Sequence, residues 1–284
     1  MKTITGKSYT RITLALDIIR KIDDGPYKNY HELSIVKHQV DLFDTLHLEE
    51  ADRTAVYCDN PLVPLDKTNI CWRALDAINA FLGARYAAVI SIEKKIPVMG
   101  GLAGGSANAA ETIRLINQLW DLRLSNETMA KIGRTLGMDV PYFFTGSTAL
   151  DTEATGIIEP IPTMVRRDFL LVLPDFGVST RDAYQSIDYG LIGKETGKTR
   201  AMCEALMRGD ADETLINMHN DFEISVFKSR PELARIKERL IELGCAAAAM
   251  SGSGSTMIGA LNSGADPEKI RKGIGCKTLF VSSR

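Results

Sequence analysis

Residues 97–110 read PVMGGLAGGSANAA. The flank before it, YAAVISIEKKI (86–96), carries β-branched residues in rough alternation and predicts a strand up to Ile96. The flank after it, ETIRLINQLW (111–120), places Ile113, Ile116, Leu119 and Trp120 on one face and predicts a helix after Ser106. A turn between such elements needs one or two glycines, and Gly100, Gly101, Gly104 and Gly105 exceed that need. Glycine lets backbone N–H groups approach a ligand, and the free N–H groups opening a helix favour negative charge. The stretch therefore predicts a phosphate cradle. A tight turn with close helix packing is the plainer reading.

The bulk composition narrows the function classes. A chain of 284 residues, 45% hydrophobic and 25% charged, buries a sizeable core in one large or two ordinary domains. Net charge is −2 with both signs interspersed, and no polybasic stripe marks nucleic acid as a partner. No apolar run has membrane-spanning length, and the start MKTITGKSYTRITLAL lacks an apolar signal core, so a cytoplasmic protein without membrane contact is expected. Cys58, Cys71, Cys203, Cys245 and Cys276 are scattered and never in CxxC spacing, which supports neither a disulfide framework nor a zinc site. The four histidines form no ligand pattern, so no protein metal site is expected; a catalytic metal would come with a substrate, as magnesium comes with ATP.

Along the chain, residues 9–18 predict a strand with one buried face, and HELSIVKHQVDLFDTLHLEE (31–50) predicts further strands with Asp41 and Asp44 near a turn. A helix is predicted over 66–83, capped by Thr68 or Asn69 and closed by Gly83, and another in SNETMAKIGRTLG between Ser125 and Gly137. DVPYFFTGSTALD reads as loop and strand, DFLLVLPDF as a buried strand, and STRDAYQSI as a helix start. Further helices are predicted at about 198–208, 213–228 and 231–243, then strand, loop and strand in CAAAAMSGSGSTMIGAL, a helix in DPEKIRKGI and a strand in KTLFVSS. Strands and helices do not alternate as βαβ units, so the fold class is α+β in two lobes, divided as 1–158 and 159–284.

Two more segments carry chemistry. SGSGS (251–255) reads as a hairpin turn or, beside the first glycine loop, as a second backbone cradle. Neither loop matches GxxxxGK[ST] or GxGxxG followed by an acidic residue. GMDVPYF places Asp139 before Pro141, either as a turn residue or as a general base for a hydroxyl that attacks a phosphoryl group.

Taken in order, SYTRITLALDI (8–18), YHEL (30–33), DKTNI (66–70), the glycine loop, LGMDVPYFFTG (136–146), STRDAY (179–184) and MSGSGSTMIGA (250–260) resemble the GHMP kinases over nearly the whole chain. The resemblance implies a ribosomal S5 domain 2-like N-terminal lobe and a ferredoxin-like C-terminal lobe. It implies an ATP site in which the backbone of Pro97, Gly100, Gly101, Leu102, Ala103 and Gly104 leads into Gly105, Ser106, Ala107 and Asn108, with Asn69 near the nucleotide. Asp139 would be the base and Arg11 the cation beside it. Gly252, Ser253 and Gly254 would close on the transferring phosphoryl group. Thr13, Tyr30, His31 and Tyr184 would hold the acceptor. YH with STRDAY resembles the branch whose acceptor alcohol carries cytidine diphosphate in non-mevalonate isoprenoid synthesis.

The chain departs from the family at three positions and one stretch. Arg11 and Thr13 stand where the family has lysine and asparagine, Met99 stands where its loop has glycine, and EATG (153–156) replaces a G-x-G-E stretch. The implied protein is a monomeric or homodimeric ATP- and Mg²⁺-dependent enzyme with a small-molecule substrate. Alternatives are a kinase for another alcohol or sugar, a nucleotide-binding module without turnover, and a diphosphate-dependent decarboxylase on the same fold.

Overall fold

β1 (Thr3–Lys21) and β2 (His31–Glu50) are hydrogen-bonded neighbours and the longest strands of the chain's computed structural model. The structure describes residues 1–152, 156–163, 165–262 and 264–284; Glu153, Ala154 and Thr155 of the EATG stretch lie outside them. The expected turn at Asp41 and Asp44 is absent, and β2 runs through both. Asp44 is tolerated within a strand because its buried carboxylate accepts from three donors. These are Lys94 Nζ at 2.5 Å and the N–H groups of Lys95 and Ile96 at 2.7 and 2.8 Å.

Two compact units are interleaved along the chain, and β1 and β2 contribute to both. The first gathers Met1–Thr10, Leu42–Val98 and Ala103–Gly146; the second gathers Arg11–Asp41, Met99–Leu102 and Ser147–Arg284.

In the first unit, β3 (Ala55–Cys58) lies parallel to β4 (Ala88–Glu93), which pairs antiparallel with β2 from Thr45↔Glu93 to Glu50↔Ala88. Next to β4 in the chain, α1 (Ile70–Leu82) opens as expected on Asn69, whose Oδ1 accepts from the Cys71 N–H, and closes on Gly83 at φ 63°. It buries Cys71, Ala74, Leu75 and Ile78, the spacing of a single helical stripe. α1 packs against α2 (Gly104–Leu119), which starts two residues before Ser106. α3 (Asn126–Arg134) is capped by Ser125 as expected but ends before Gly137. α4 (Tyr142–Thr145) is a single turn where loop was expected. Burying such Leu and Ile side chains contributes about 1.5–3 kcal/mol each.

The second unit contains the first part of β2, paired antiparallel with β5 (Thr148–Asp151), which in turn pairs with β6 (Ile158–Pro160). After β7 (Asp168–Leu173) come α5 (Thr180–Gln185), α6 (Thr196–Arg208) and α7 (Ala211–Ile216). The helix expected over 213–228 is broken: α7 stops, β8 (His219–Asn220) pairs parallel with β1 at Ala15↔His219 and Leu16↔Asn220, and α8 (Phe222–Ser229) begins afresh. The chain then forms α9 (Pro231–Glu242), β9 (Cys245–Met250), β10 (Met257–Leu261), α10 (Pro267–Ile274) and β11 (Lys277–Ser282). A four-stranded sheet of order β11-β7-β10-β9 is antiparallel throughout. Its core includes Leu170, Val172, Phe222, Leu233, Leu240, Met250 and Met257. Among the described residues, no helix is long and apolar enough to cross a membrane.

Candidate functional site

The glycine loop has an alternating backbone. Met99, Gly101 and Ala103 have φ of 59°, 72° and 53°, while the residues between them do not share that hand. For a non-glycine residue this conformation costs about 1–2 kcal/mol, so Met99 and Ala103 store strain. Backbone strain of this kind gathers at ligand clamps.

Ala103 is the N-cap of α2. It offers no side-chain acceptor, and no acidic residue lies in the first turn. The opening N–H groups of this helix therefore lack the usual side-chain cap. Packing explains Gly101, where an added Cβ would lie 2.1 Å from Ser251 O, and Gly104, where it would lie 2.7 Å from an Ile96 methyl carbon. It does not explain Gly105, which is exposed and whose Cβ would meet only Ile70, at 3.9 Å. The tight-turn reading thus accounts for Gly101 and Gly104, and leaves Gly105 without a packing reason.

The predicted cradle residues differ in what they can offer. Leu102 and Ala107 are buried apolar side chains, and Asn108 is buried with its Oδ1 accepting from Ser8 Oγ at 2.8 Å. Only their backbones are available to a ligand. Pro97 and Ser106 are half-buried, and Gly100 is buried with its carbonyl accepting from the Thr256 N–H at 3.3 Å. Met99 is 66% exposed and touches Gly177. Asn69 is buried, with Oδ1 capping α1 and Nδ2 donating to Pro64 O at 2.7 Å.

Asp139 is half-buried in the turn between α3 and α4. The turn is held from both sides: Val140 and Tyr142 are fully buried, and the Val140 N–H donates to Gly137 O at 3.2 Å. Gly133 lets Val140 approach α3 closely, and Arg114 donates to Phe143 O. A carboxylate fixed by such neighbours suits either reading of Asp139.

In the second unit the two glycine loops meet. Arg11, 5% exposed, donates from Nη1 to Gly101 O at 2.8 Å and to Thr13 Oγ1 at 3.1 Å. Thr13 Oγ1 also accepts from the Gly252 N–H at 3.2 Å, and Ser251 Oγ donates to Gly101 O at 3.0 Å. SGSGS joins β9 to β10, so the hairpin reading is correct as topology. Gly252 and Gly254 are left-handed at φ 56° and 88°, and Ser253 Oγ lies 3.1 Å from Thr180 Oγ1.

The acceptor residues are also in the second unit. His31 stacks on Tyr184 at 4.5 Å, and Tyr184 meets Phe222 edge-on at 4.9 Å. Tyr30 does not join this stack; it is 52% exposed and packs edge-on to Tyr27. Burial, and then the Lys21 ammonium, lower the His31 pKa, so the ring is neutral at pH 7.

Sequence reasoning missed the roles of four residues. Tyr189 OH lies 2.7 Å from His31 Nε2, with the two ring planes nearly parallel at 11°. Asn220 holds the second loop by donating to Met250 O and Gly252 O at 2.7 and 2.8 Å. The Lys94–Asp44 pair fixes the residues that enter the first loop. The one available signal was an aromatic five residues after Tyr184; Asn220 and Asp44 carried none.

Comparison with known proteins shows the family. The models for the GHMP kinases N terminal domain and the GHMP kinases C terminal match residues 69–147 and 202–279. A 4-diphosphocytidyl-2-C-methyl-D-erythritol kinase of Gloeobacter violaceus is 36% identical over 275 residues, 95% of this chain and 89% of that protein. One from Thermoanaerobacter pseudethanolicus is 34% identical over 96% of this chain and 91% of its own. A crystal structure of 4-(cytidine 5'-diphospho)-2C-methyl-D-erythritol kinase superposes with a TM-score of 0.79 at 24% identity, covering 98% of each chain. With its two halves matched in order and relatives above 30% identity along nearly its full length, the chain belongs to the GHMP kinases, in the family of the 4-diphosphocytidyl-2-C-methyl-D-erythritol kinases.

Proposed function

We propose that the chain transfers the γ-phosphoryl group of ATP to a hydroxyl of 4-diphosphocytidyl-2-C-methyl-D-erythritol. The observation that carries this reading is the neutral His31 stacked on Tyr184, an aromatic and hydrogen-bonding pair suited to a cytosine ring. The names of the relatives supply the acceptor, and the alternating backbone of 99–103 before an uncapped 16-residue helix supports a triphosphate there.

Asp139 takes the proton of the acceptor hydroxyl as its oxygen attacks the γ-phosphorus. The bond to the β-phosphate oxygen breaks, giving a phosphomonoester and ADP. Such a transfer asks little covalent chemistry of the protein beyond position and charge. Arg11 supplies positive charge. A Mg²⁺ would arrive already bound to the triphosphate. We further propose a functional division at 158/159 and a monomer or homodimer, which light scattering distinguishes.

The test is ADP release over a panel of acceptors: the cytidyl-methylerythritol compound, homoserine, mevalonate, phosphomevalonate and simple sugars. Turnover with the first supports the reading; turnover only with another renames the substrate. Asp139→Asn should lower kcat by about 10²–10⁴-fold while ATP still binds. A variant with unchanged kcat removes Asp139 as the base.

A further inference from the structure

The contacts around Arg11 have a shape that a charge-supplying residue does not require. One guanidinium nitrogen reaches two acceptors, Gly101 O in the first glycine loop and Thr13 Oγ1 on the same strand. That hydroxyl oxygen in turn receives the Gly252 N–H of the second loop. A single chain of hydrogen bonds therefore runs from one loop, through two side chains of β1, to the other. Ser251 Oγ to Gly101 O and the Thr256 N–H to Gly100 O close the circuit directly. Ser251 O would lie 2.1 Å from a Cβ on Gly101, so the backbones are already at their limiting approach. Asn220 fixes the far side of the second loop through Met250 O and Gly252 O.

We propose that Arg11 and Thr13 are positioning residues that act together as one latch, setting the spacing of 99–102 against 251–255 and so coupling nucleotide binding to acceptor binding. The coupling rests on the kinase reading above; the latch itself does not. Arginine fits this task because the guanidinium plane fixes the direction of the Nη1 hydrogens toward both acceptors, whereas a lysine ammonium rotates freely. Threonine fits because its oxygen accepts both N–H groups in a site where it is 1% exposed. Removing that oxygen takes an acceptor from donors on two different segments at once, Arg11 on β1 and Gly252 in the second loop.

Hydrogen exchange on the ligand-free protein tests the latch. Thr13→Val should speed exchange in peptides spanning 99–105 and 250–256 together, by about tenfold in each. Thr13→Ser, which keeps the oxygen, should restore both. Arg11→Lys should show the same paired effect, and the double variant should add little to either single one. In ADP-release kinetics Thr13→Val should raise KM for ATP and for the acceptor in parallel, with kcat falling less. Faster exchange in only one loop, or single effects that add in the double variant, overturns the latch. A paired exchange effect in Thr13→Val, together with a wild-type protein that releases no ADP, supports the latch and overturns the kinase reading.

Discussion

Tyr184 and Tyr189 touch the same histidine in different ways. Tyr184 lies face to face with His31, whereas Tyr189 meets its edge through the hydroxyl. Tyr184→Ala should therefore raise KM for a cytidine-bearing acceptor far more than KM for ATP, and equal losses would remove its role. Tyr189→Phe keeps the ring and removes one hydrogen bond worth about 1 kcal/mol, so acceptor KM should rise about fivefold with ATP KM unchanged. An unchanged acceptor KM would make Tyr189 a surface neighbour only. The glycine loop was legible in the sequence because backbone chemistry demands small residues in a row. Tyr189 was not, because it reaches His31 across 158 positions and no spacing rule connects them. Tyr30 shows the converse: its place beside His31 in the chain suggested a shared ligand face, but the residue packs on Tyr27 instead.

Local capping rules succeeded for elements whose ends are settled by near neighbours. Asn69 and Ser125 both cap helices through their side chains. The rules failed where distant partners intervene. Residues 213–228 have helical periodicity, yet His219 and Asn220 are drawn into a strand beside β1. There the Asp221 carboxylate accepts from the N–H groups of Ile18 and Gly193, at 2.8 and 2.9 Å. Hydrogen bonds of that reach outweigh the few tenths of a kcal/mol by which propensity favours one continuous helix. Asn69 offers a test at this scale, since it was expected near the nucleotide but serves as a cap and a tie to Pro64. Asn69→Ala should lower stability by about 1–2 kcal/mol, a fall in Tm of a few degrees. Asn69→Ser should recover most of it, because serine also caps. If Asn69→Ser regains Tm but not ATP affinity, the side chain also serves the nucleotide.

For the molecule as a whole, stability depends on two buried histidines that respond to pH in opposite senses. Burial, reinforced by Arg166, lowers the His38 pKa to about 4, while the ring nitrogens lie 2.8 Å from Thr148 Oγ1 and Ser283 Oγ. The unfolded ring protonates near 6.5 but the folded ring does not, so its contribution is full above pH 6.5 and is lost as pH falls toward 4. That shift corresponds to roughly 3 kcal/mol. Burial opposes charge on His219, but the Asp17 carboxylate at 2.8 Å, the Asn217 carbonyl and the Asp221 charge together outweigh it and raise the pKa. Its contribution is full below 6.5 and is lost as pH rises through the folded value. Denaturant melts from pH 7.5 to 4.5 should therefore show a net loss on the acid side. His38→Gln should flatten that loss, and a slope unchanged by the substitution would place its source elsewhere.

The interleaving of the two units also bears on how the chain is made. The chain passes from one unit to the other at 10/11, 41/42, 98/99, 102/103 and 146/147, so neither unit is a continuous stretch that can be cut out and expressed alone. Ala15 and Leu16 cannot pair until His219 and Asn220 have been synthesised. At ordinary translation rates of about 5–20 residues per second, that wait lasts on the order of ten seconds or more. Throughout it, the apolar stretch around Ile12, Leu14, Leu16 and Ile18 has β2 on one edge but lacks its β8 partner on the other. The nascent protein should then be a client for chaperones that shield young chains, and its yield should be more sensitive to their depletion than that of an enzyme whose domains follow one another in order.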